Sequence, residues 1–214
     1  MDTILQLLHD LKHWISPETL ANAGLVVLFL VVFAETGLLV GFFLPGDSLL
    51  FTAGLLCATG QFETNIWVLI ATLIVAAVVG DQVGYLFGRK VGPALFKREE
   101  SWFFKPKYIR QTEEFYNRHG GKTIILGRFV PIVRTFAPVI AGVAQFEYKT
   151  FVTYNVVGGV LWVSSMTIAG YLLGNIGWVR RNVEFIVLGI ILLSVVPIIT
   201  TYLQERARAK AAAK

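Results

Sequence analysis

Long apolar runs, each interrupted by a charge at a single place, dominate this chain. Residues 20–44 carry Glu35 as their one charge, and residues 66–88, IWVLIATLIVAAVVGDQVGYLFG, carry only Asp81. Residues 149–174 and 183–203 are apolar runs of similar length. A membrane-spanning helix needs about 20 predominantly apolar residues, so each of these four runs is long enough to span. Two further apolar segments break the pattern. The run 49–59, LLFTAGLLCAT, is too short to span and follows Pro45-Gly46, which stops a helix. The stretch GRFVPIVRTFAPVIAG, from Gly127 to Gly142, holds Arg128 and Arg134 together with Pro131 and Pro138. Pro45, Gly46, Pro131 and Pro138 are therefore predicted helix breaks. The segments 43–60 and 122–143 are predicted to be re-entrant, entering the membrane and turning back.

The ends and the middle read differently. At 3–15, Ile4, Leu7, Leu8, Leu11, Trp14 and Ile15 recur at helical spacing among polar residues. This predicts an amphipathic helix in the membrane interface, spanning 1–18. Pro17 then suits the first turn of the next helix. Residues 91–120 form a polar connector, with an interfacial helix predicted over 107–119. Trp178, Arg180 and Arg181 fall in a short loop before the last span, and 204–214 is a basic tail.

The chain also repeats itself. GFFLP at 41–45 matches GRFVP at 127–131, and GYLFG at 84–88 matches GYLLG at 170–174, both at an offset of 86 residues. Repeat 1 is therefore placed at 20–90 and repeat 2 at 121–175, within one membrane domain.

Composition agrees with a lipid solvent. The chain is 55% hydrophobic and 15% charged, with mean hydropathy +0.65, against about 25% charged residues in soluble domains. The net charge of +5 collects between Arg89 and Lys122 and after Arg206. Such clusters mark cytoplasmic faces and anionic headgroups rather than nucleic acid. The connector and the tail are therefore placed in the cytoplasm, and both termini with them. The Arg180-Arg181 pair opposes this orientation but is outweighed by the larger clusters. The two re-entrant segments then enter from opposite sides, which makes the repeats inverted, a recurrent plan of secondary transporters. The fold class is an all-α polytopic membrane protein with inverted repeats. Glycine-rich spans allow packing within one chain or between copies, so a homo-oligomer is among the permitted arrangements.

The candidate chemistry lies in the charges. An arginine at the centre of a span costs roughly 2.5–3.5 kcal/mol on insertion scales, so Arg128 and Arg134 need carboxylates, an anionic ligand or a water-filled cavity. Snorkelling to the headgroups is the alternative. Glu35 either reaches the headgroups or faces inward, where it pairs with an arginine or carries a proton. Asp47, with Ser48, either caps a helix or takes part in the same charge pairing. Asp81, Tyr154 and Asn155 are secondary candidates, and Gly158-Gly159 is read as a close-packing site. His9 and His13 lie one turn apart but lack a third ligand, so no metal or cofactor is expected. None of the three histidines, His9, His13 and His119, is embedded in a span. A membrane enzyme with a histidine acid or nucleophile is disfavoured on that ground.

The motifs ETGLLV…FLPGDSLLF (35–51), VGDQVGYLFGR (79–89), HGGKTIILGRFVPIVRTFAPVIAG (119–142) and YNVVGGVLW (154–162) resemble the DedA family of bacterial inner-membrane proteins. That family is related to the VTT-domain lipid scramblases of eukaryotes, and the resemblance covers nearly the whole chain. It implies opposed re-entrant hairpins. It also implies movement of polyprenyl phosphate carriers such as undecaprenyl phosphate, or of phospholipids, between leaflets with dependence on the proton-motive force. The family's acidic and basic residues match Glu35, Asp47, Arg128 and Arg134. On this reading the arginines bind the lipid phosphate and the carboxylates neutralise them or take up protons. Two alternatives share the charges: a proton-dependent transporter of small ions or solutes, and an uncoupled scramblase. A purely structural membrane organiser would leave buried charges on broken helices without a purpose.

Overall fold

The computed structural model describes residues 17–38, 46–96 and 122–190, and every regular element among them is helical. Helix α1 runs from Pro17 to Gly37, with the proline in its first position, where a missing N–H costs nothing. Helix α2, Gly46–Thr59, has 14 residues. It ends where Gly60 takes φ 78°, and the N–H groups of Gly60 and Gln61 donate back to Cys57 O and Leu56 O. This left-handed cap satisfies carbonyls that the helix end leaves open. Helix α3, Ile66–Phe96, begins on Asn65, whose Oδ1 accepts the Trp67 N–H at 2.8 Å.

The arginine stretch forms two helices, α4 (Lys122–Gly127) and α5 (Pro131–Val143). The chain breaks between them at 128–130. Pro131 opens α5, and Val130 before it is extended, as a residue preceding proline prefers. The end of α5 repeats the end of α2: Gln145 takes φ 53°, and the N–H groups of Gln145 and Phe146 donate to Gly142 O and Ala141 O. Helix α6 is Tyr148–Gly174, α7 is Gly177–Arg181, and residues 183–190 are helical.

Two of these helices, Ile66–Val91 within α3 and Tyr148–Gly174, are long and apolar enough to cross a membrane. At 1.5 Å per residue, α2 and α5 reach only about 20 Å each, against a hydrocarbon core of about 30 Å.

The structure corrects three expectations. Pro138 does not break its helix: α5 continues through it to Val143. A proline in this place removes one ladder bond, the one to the carbonyl of Arg134, and its ring needs room. Pro138 packs beside Gly84 of α3, where a methyl group would stand 3.5 Å from its Cβ, an ordinary contact. Trp178, Arg180 and Arg181 lie on the short helix α7 rather than in a loop. Helix α3 also continues past the expected end at 88 to Phe96. Outside the described residues lie most of the N-terminal interfacial helix with His9 and His13, Pro45, most of the connector with His119, the end of the last span and the tail.

The described chain forms two compact units. The first comprises residues 17–38, 63–96 and 122–165. Its centre is α3, with α1 and α5 packed on it. Helices α1 and α3 touch backbone to backbone at Gly37 and Gly80, where a methyl group on Gly80 would lie 2.1 Å from Thr36 Oγ1. Helices α3 and α5 cross at a glycine pair. A methyl group on Gly142 would lie 2.0 Å from Tyr85 O, and one on Gly88 would lie 2.0 Å from Val139 O. The start of α6 runs antiparallel to α3, with Tyr85 stacked on Phe151 at 4.5 Å. Tyr85, Ile124, Ala141 and Phe151 form the core there, and the Tyr85 hydroxyl donates to Phe146 O at 2.6 Å. Tyr154 packs against this cluster.

The second unit comprises 46–62 and 166–190. In it α2 crosses the end of α6, again at a glycine pair. A methyl group on Gly54 would lie 2.0 Å from Thr167 O, and one on Gly170 would lie 1.9 Å from Phe51 O. Leu55, Val179 and Val183 form its core. Residues 51 and 54 thus meet 170 and 167 as 139 and 142 meet 88 and 85.

Candidate functional site

Four charged side chains converge inside the first unit, and all are withdrawn from the surface: Glu35 is 0% exposed, Asp81 2%, and Arg128 and Arg134 3% each. They form two ion pairs, Arg134 with Glu35 and Arg128 with Asp81. Arg134 is close enough for its charge to act on both Asp81 and Arg128, so the two pairs are one electrostatic cluster. Its formal charges cancel. This matters because the effective penalty for burying a single ion is several kcal/mol, and removing one partner of a buried pair costs about 3–5 kcal/mol. The arginines do not snorkel.

Each element supplies its charge for a local reason. Glu35 sits in the last turn of α1, next to Thr36, whose hydroxyl donates to Val32 O at 3.0 Å and so presents no free donor to the apolar surroundings. Asp81 follows Gly80, and the Gly37–Gly80 contact brings the end of α1 and the middle of α3, each with its carboxylate, to one crossing. Arg128 lies in the break between α4 and α5, its N–H donating to Ile125 O at 3.2 Å. Arg134 lies in the first turn of α5, its N–H donating to Val130 O at 2.9 Å. The break thus places one arginine in a turn and the other on a helix.

Helix α6 forms the other wall. Asn155, Gly158, Gly159 and Trp162 share one face at helical spacing. Asn155 Oδ1 accepts from Arg128 Nη2, the same nitrogen that pairs with Asp81 Oδ2, while Asn155 Nδ2 donates to Val78 O at 3.2 Å. The Arg128 side chain lies on Gly158 and Gly159: a methyl group at Gly158 would stand 2.8 Å from its Cδ and 3.0 Å from its Nε. Trp162, fully buried, faces Arg134 with the guanidinium carbon 4.3 Å from the ring centroid, a cation–π contact.

Arg128 uses Nη2 for both contacts, and its Nε and Nη1 have no hydrogen-bond partner among the described residues; neither has Asp81 Oδ1. A buried donor or acceptor without a partner costs about 1–3 kcal/mol. The site thus offers guanidinium N–H groups and a carboxylate oxygen beside a glycine surface.

The expected residues are divided by this arrangement. Glu35, Arg128 and Arg134 meet, and so do Asp81 and Asn155, which sequence reasoning ranked second. Asp47 lies in the first turn of α2, half-buried, where an acidic group complements the helix dipole. Tyr154 belongs to the apolar cluster. Trp162 and the glycine bed under Arg128 went unread as parts of a site. A signal for Asp81 was present, since a carboxylate inside the most apolar span requires a cation, and the only cations amid apolar sequence at comparable depth are the two arginines.

Comparison with known proteins adds a family. The VTT domain model matches residues 44–172. Protein DedA of Escherichia coli is 46% identical over 199 residues, covering 91% of each chain. A membrane protein of Mycobacterium leprae is 50% identical over 189 residues, 88% of this chain and 84% of the relative. Inner membrane protein YqjA of Escherichia coli is 37% identical over 183 residues, 82% of this chain and 80% of the relative. No solved structure matches. With the VTT model covering more than half of the sequence and DedA aligned almost end to end, this chain belongs to the DedA family of VTT-domain membrane proteins.

Proposed function

We propose that this protein moves a phosphate-bearing lipid between the leaflets of the bacterial inner membrane, coupled to protons, in support of envelope homeostasis. The observation that carries this reading is the buried, electrically neutral cluster of two arginines and two carboxylates at a helix break. A lipid phosphate crossing hydrocarbon needs positive charge at depth, and guanidinium offers planar, forked donors suited to phosphate oxygens. The acyl or prenyl chains stay in lipid. When the site is empty the carboxylates neutralise the arginines. When phosphate arrives a carboxylate is displaced and takes a proton, which links lipid movement to the proton gradient. Undecaprenyl phosphate and phospholipids are the substrate candidates, and nothing in the cluster calls for a nucleophile or a bond-breaking step.

The architecture proposed for this task is a pair of inverted repeats, each with a re-entrant broken-helix hairpin. Three features support it. Helices α2 and α5 are too short to span, both end on the same left-handed cap, and each crosses a long helix at one glycine pair. The basic connector and tail support cytoplasmic termini by the positive-inside rule. The inner-membrane assignment draws on the printed name of the relative YqjA.

The test is leaflet exchange in proteoliposomes, with labelled undecaprenyl phosphate and, separately, a labelled phospholipid, each with and without an imposed pH gradient. Gradient-dependent movement of the prenyl phosphate is expected. Gradient-independent movement of both lipids indicates an uncoupled scramblase. If neither lipid moves while the protein is folded, the lipid reading fails and a small-ion or solute transporter takes its place.

A further inference from the structure

The two ion pairs have unequal surroundings, and we infer that they divide the work: Arg128 and Asp81 form the exchanging pair, while Arg134 and Glu35 form a fixed one. This inference rests on the proposed function, and it names which arginine takes the oxyanion and which carboxylate takes the proton.

Arg134 is held from two directions. Its guanidinium pairs with Glu35 of α1 and stacks on Trp162 of α6, and its backbone is part of the regular first turn of α5. Arg128 is held at one nitrogen only. Its backbone lies in the 128–130 turn, outside both helices, and its Nη2 makes both polar contacts. Its Nε and Nη1 are buried and lack a protein partner among the described residues, as does Asp81 Oδ1. Both ion pairs join one Nη2 to one carboxylate oxygen, where a guanidinium and a carboxylate have the atoms for a two-point contact; Arg128 is set apart by having both Nε and Nη1 left over. This edge borders Gly158, where a methyl group would stand 3.0 Å from Nε, and Gly159, where one would stand 3.6 Å from Nη1. Asn155 can keep its hold on Nη2 when Asp81 lets go, so the arginine stays in place while its counter-ion changes.

The exchange balances. Arg128 is cationic throughout. The incoming oxyanion accepts from Nε and Nη1, and Asp81 takes one proton and becomes a neutral carboxylic acid, keeping the charge of the cluster unchanged for a monoanion. Among the described residues, Arg128 from the turn and Arg134 from α5 act on Asp81 by their charge, Glu35 from α1 joins the cluster through Arg134, and α6 contributes Asn155, which does not titrate. Tyr85, one turn along α3, has its hydroxyl committed to Phe146 O.

The experiment uses the full-length protein in detergent, with hexyl phosphate as the probe, and measures affinity by calorimetry between pH 6 and pH 8. The probe's own ionisation is common to every variant, so differences between variants isolate the protein group. One proton taken up on binding makes affinity fall by about tenfold per pH unit more steeply than it would otherwise. Wild type and Glu35→Gln are expected to share this extra slope, and Asp81→Asn to lose it while binding more tightly at pH 8. A second readout, the infrared difference spectrum on adding hexyl phosphate, is expected to gain a protonated-carboxyl band that Asp81→Asn removes and Glu35→Gln keeps. It is read on wild type first, so a variant that fails to fold does not decide the matter: absence of the band when wild type binds overturns the inference. Retention of slope and band in Asp81→Asn, or their loss in Glu35→Gln alone, also overturns it. Failure of wild type to bind hexyl phosphate at any pH instead sinks the lipid-phosphate reading beneath it.

Discussion

Gly158→Ala is a small change with a specific expected consequence. The added methyl group would stand 2.8 Å from Arg128 Cδ, 3.0 Å from Nε and 3.3 Å from Ile125 Cα. Carbon atoms pack best at about 3.5–4.0 Å, so the side chain must retreat by several tenths of an ångström in a place where α4 also blocks it. That movement pulls Nη2 away from both Asp81 and Asn155. Overpacking of this kind costs about 1–3 kcal/mol. Removing a glycine from a helix interior returns about 0.5–1 kcal/mol, which leaves a net loss of roughly 1–2 kcal/mol. Gly189→Ala is the control, because a methyl group there meets nothing within 4 Å, and it is expected to be neutral or slightly stabilising. The assay is thermal unfolding in detergent for both variants, repeated in an Arg128→Ala background. With the arginine gone, the penalty at Gly158 should largely disappear, a non-additivity that marks direct contact. Equal stability of Gly158→Ala and Gly189→Ala, or an undiminished penalty without Arg128, refutes the glycine bed.

Further outcomes follow from the same contacts. Gly54→Ala and Gly142→Ala should both sharply lower the yield of folded, monodisperse protein in size-exclusion chromatography, since each methyl group would sit 2.0 Å from a backbone carbonyl oxygen. An alanine tolerated at one crossing and not at the other would contradict their equivalence. Asp81→Ala should destabilise by about 3–5 kcal/mol by leaving Arg128 buried without its carboxylate, and Arg128→Met should recover much of that loss in the double variant; thermal unfolding that shows no recovery breaks the pairing. Trp162→Leu should show a coupling with Arg134→Met of about 1 kcal/mol in a double-mutant cycle, smaller in Trp162→Phe, which keeps a π-face. Zero coupling would remove the cation–π contact from the account.

The long apolar runs were legible because period and length alone identify a helix in lipid, and α6 lies where its run predicts. The broken arginine stretch was legible because proline and arginine are both costly there. The fate of Pro138 was not, since whether a helix continues through a proline depends on the packing that holds both its sides, here against α3, which is distant in sequence. The partner of Arg128 was missed for a similar reason. The apolar span around Asp81 called for a cation, but only the packing of α3 beneath the turn shows that the cation is Arg128. The motif Gly158-Gly159 was read as a helix-packing site. A glycine pair announces close approach but not what approaches, and here it is an arginine side chain.

The measurement that reaches the central claim most directly is a solid-state NMR distance between the phosphorus of a bound lipid phosphate and the guanidinium nitrogens of Arg128, in bilayers containing protein competent for leaflet exchange. The account predicts phosphorus within hydrogen-bonding reach of Arg128, with the signal lost in Arg128→Lys. A lipid phosphate that is moved between leaflets without approaching Arg128 would contradict it.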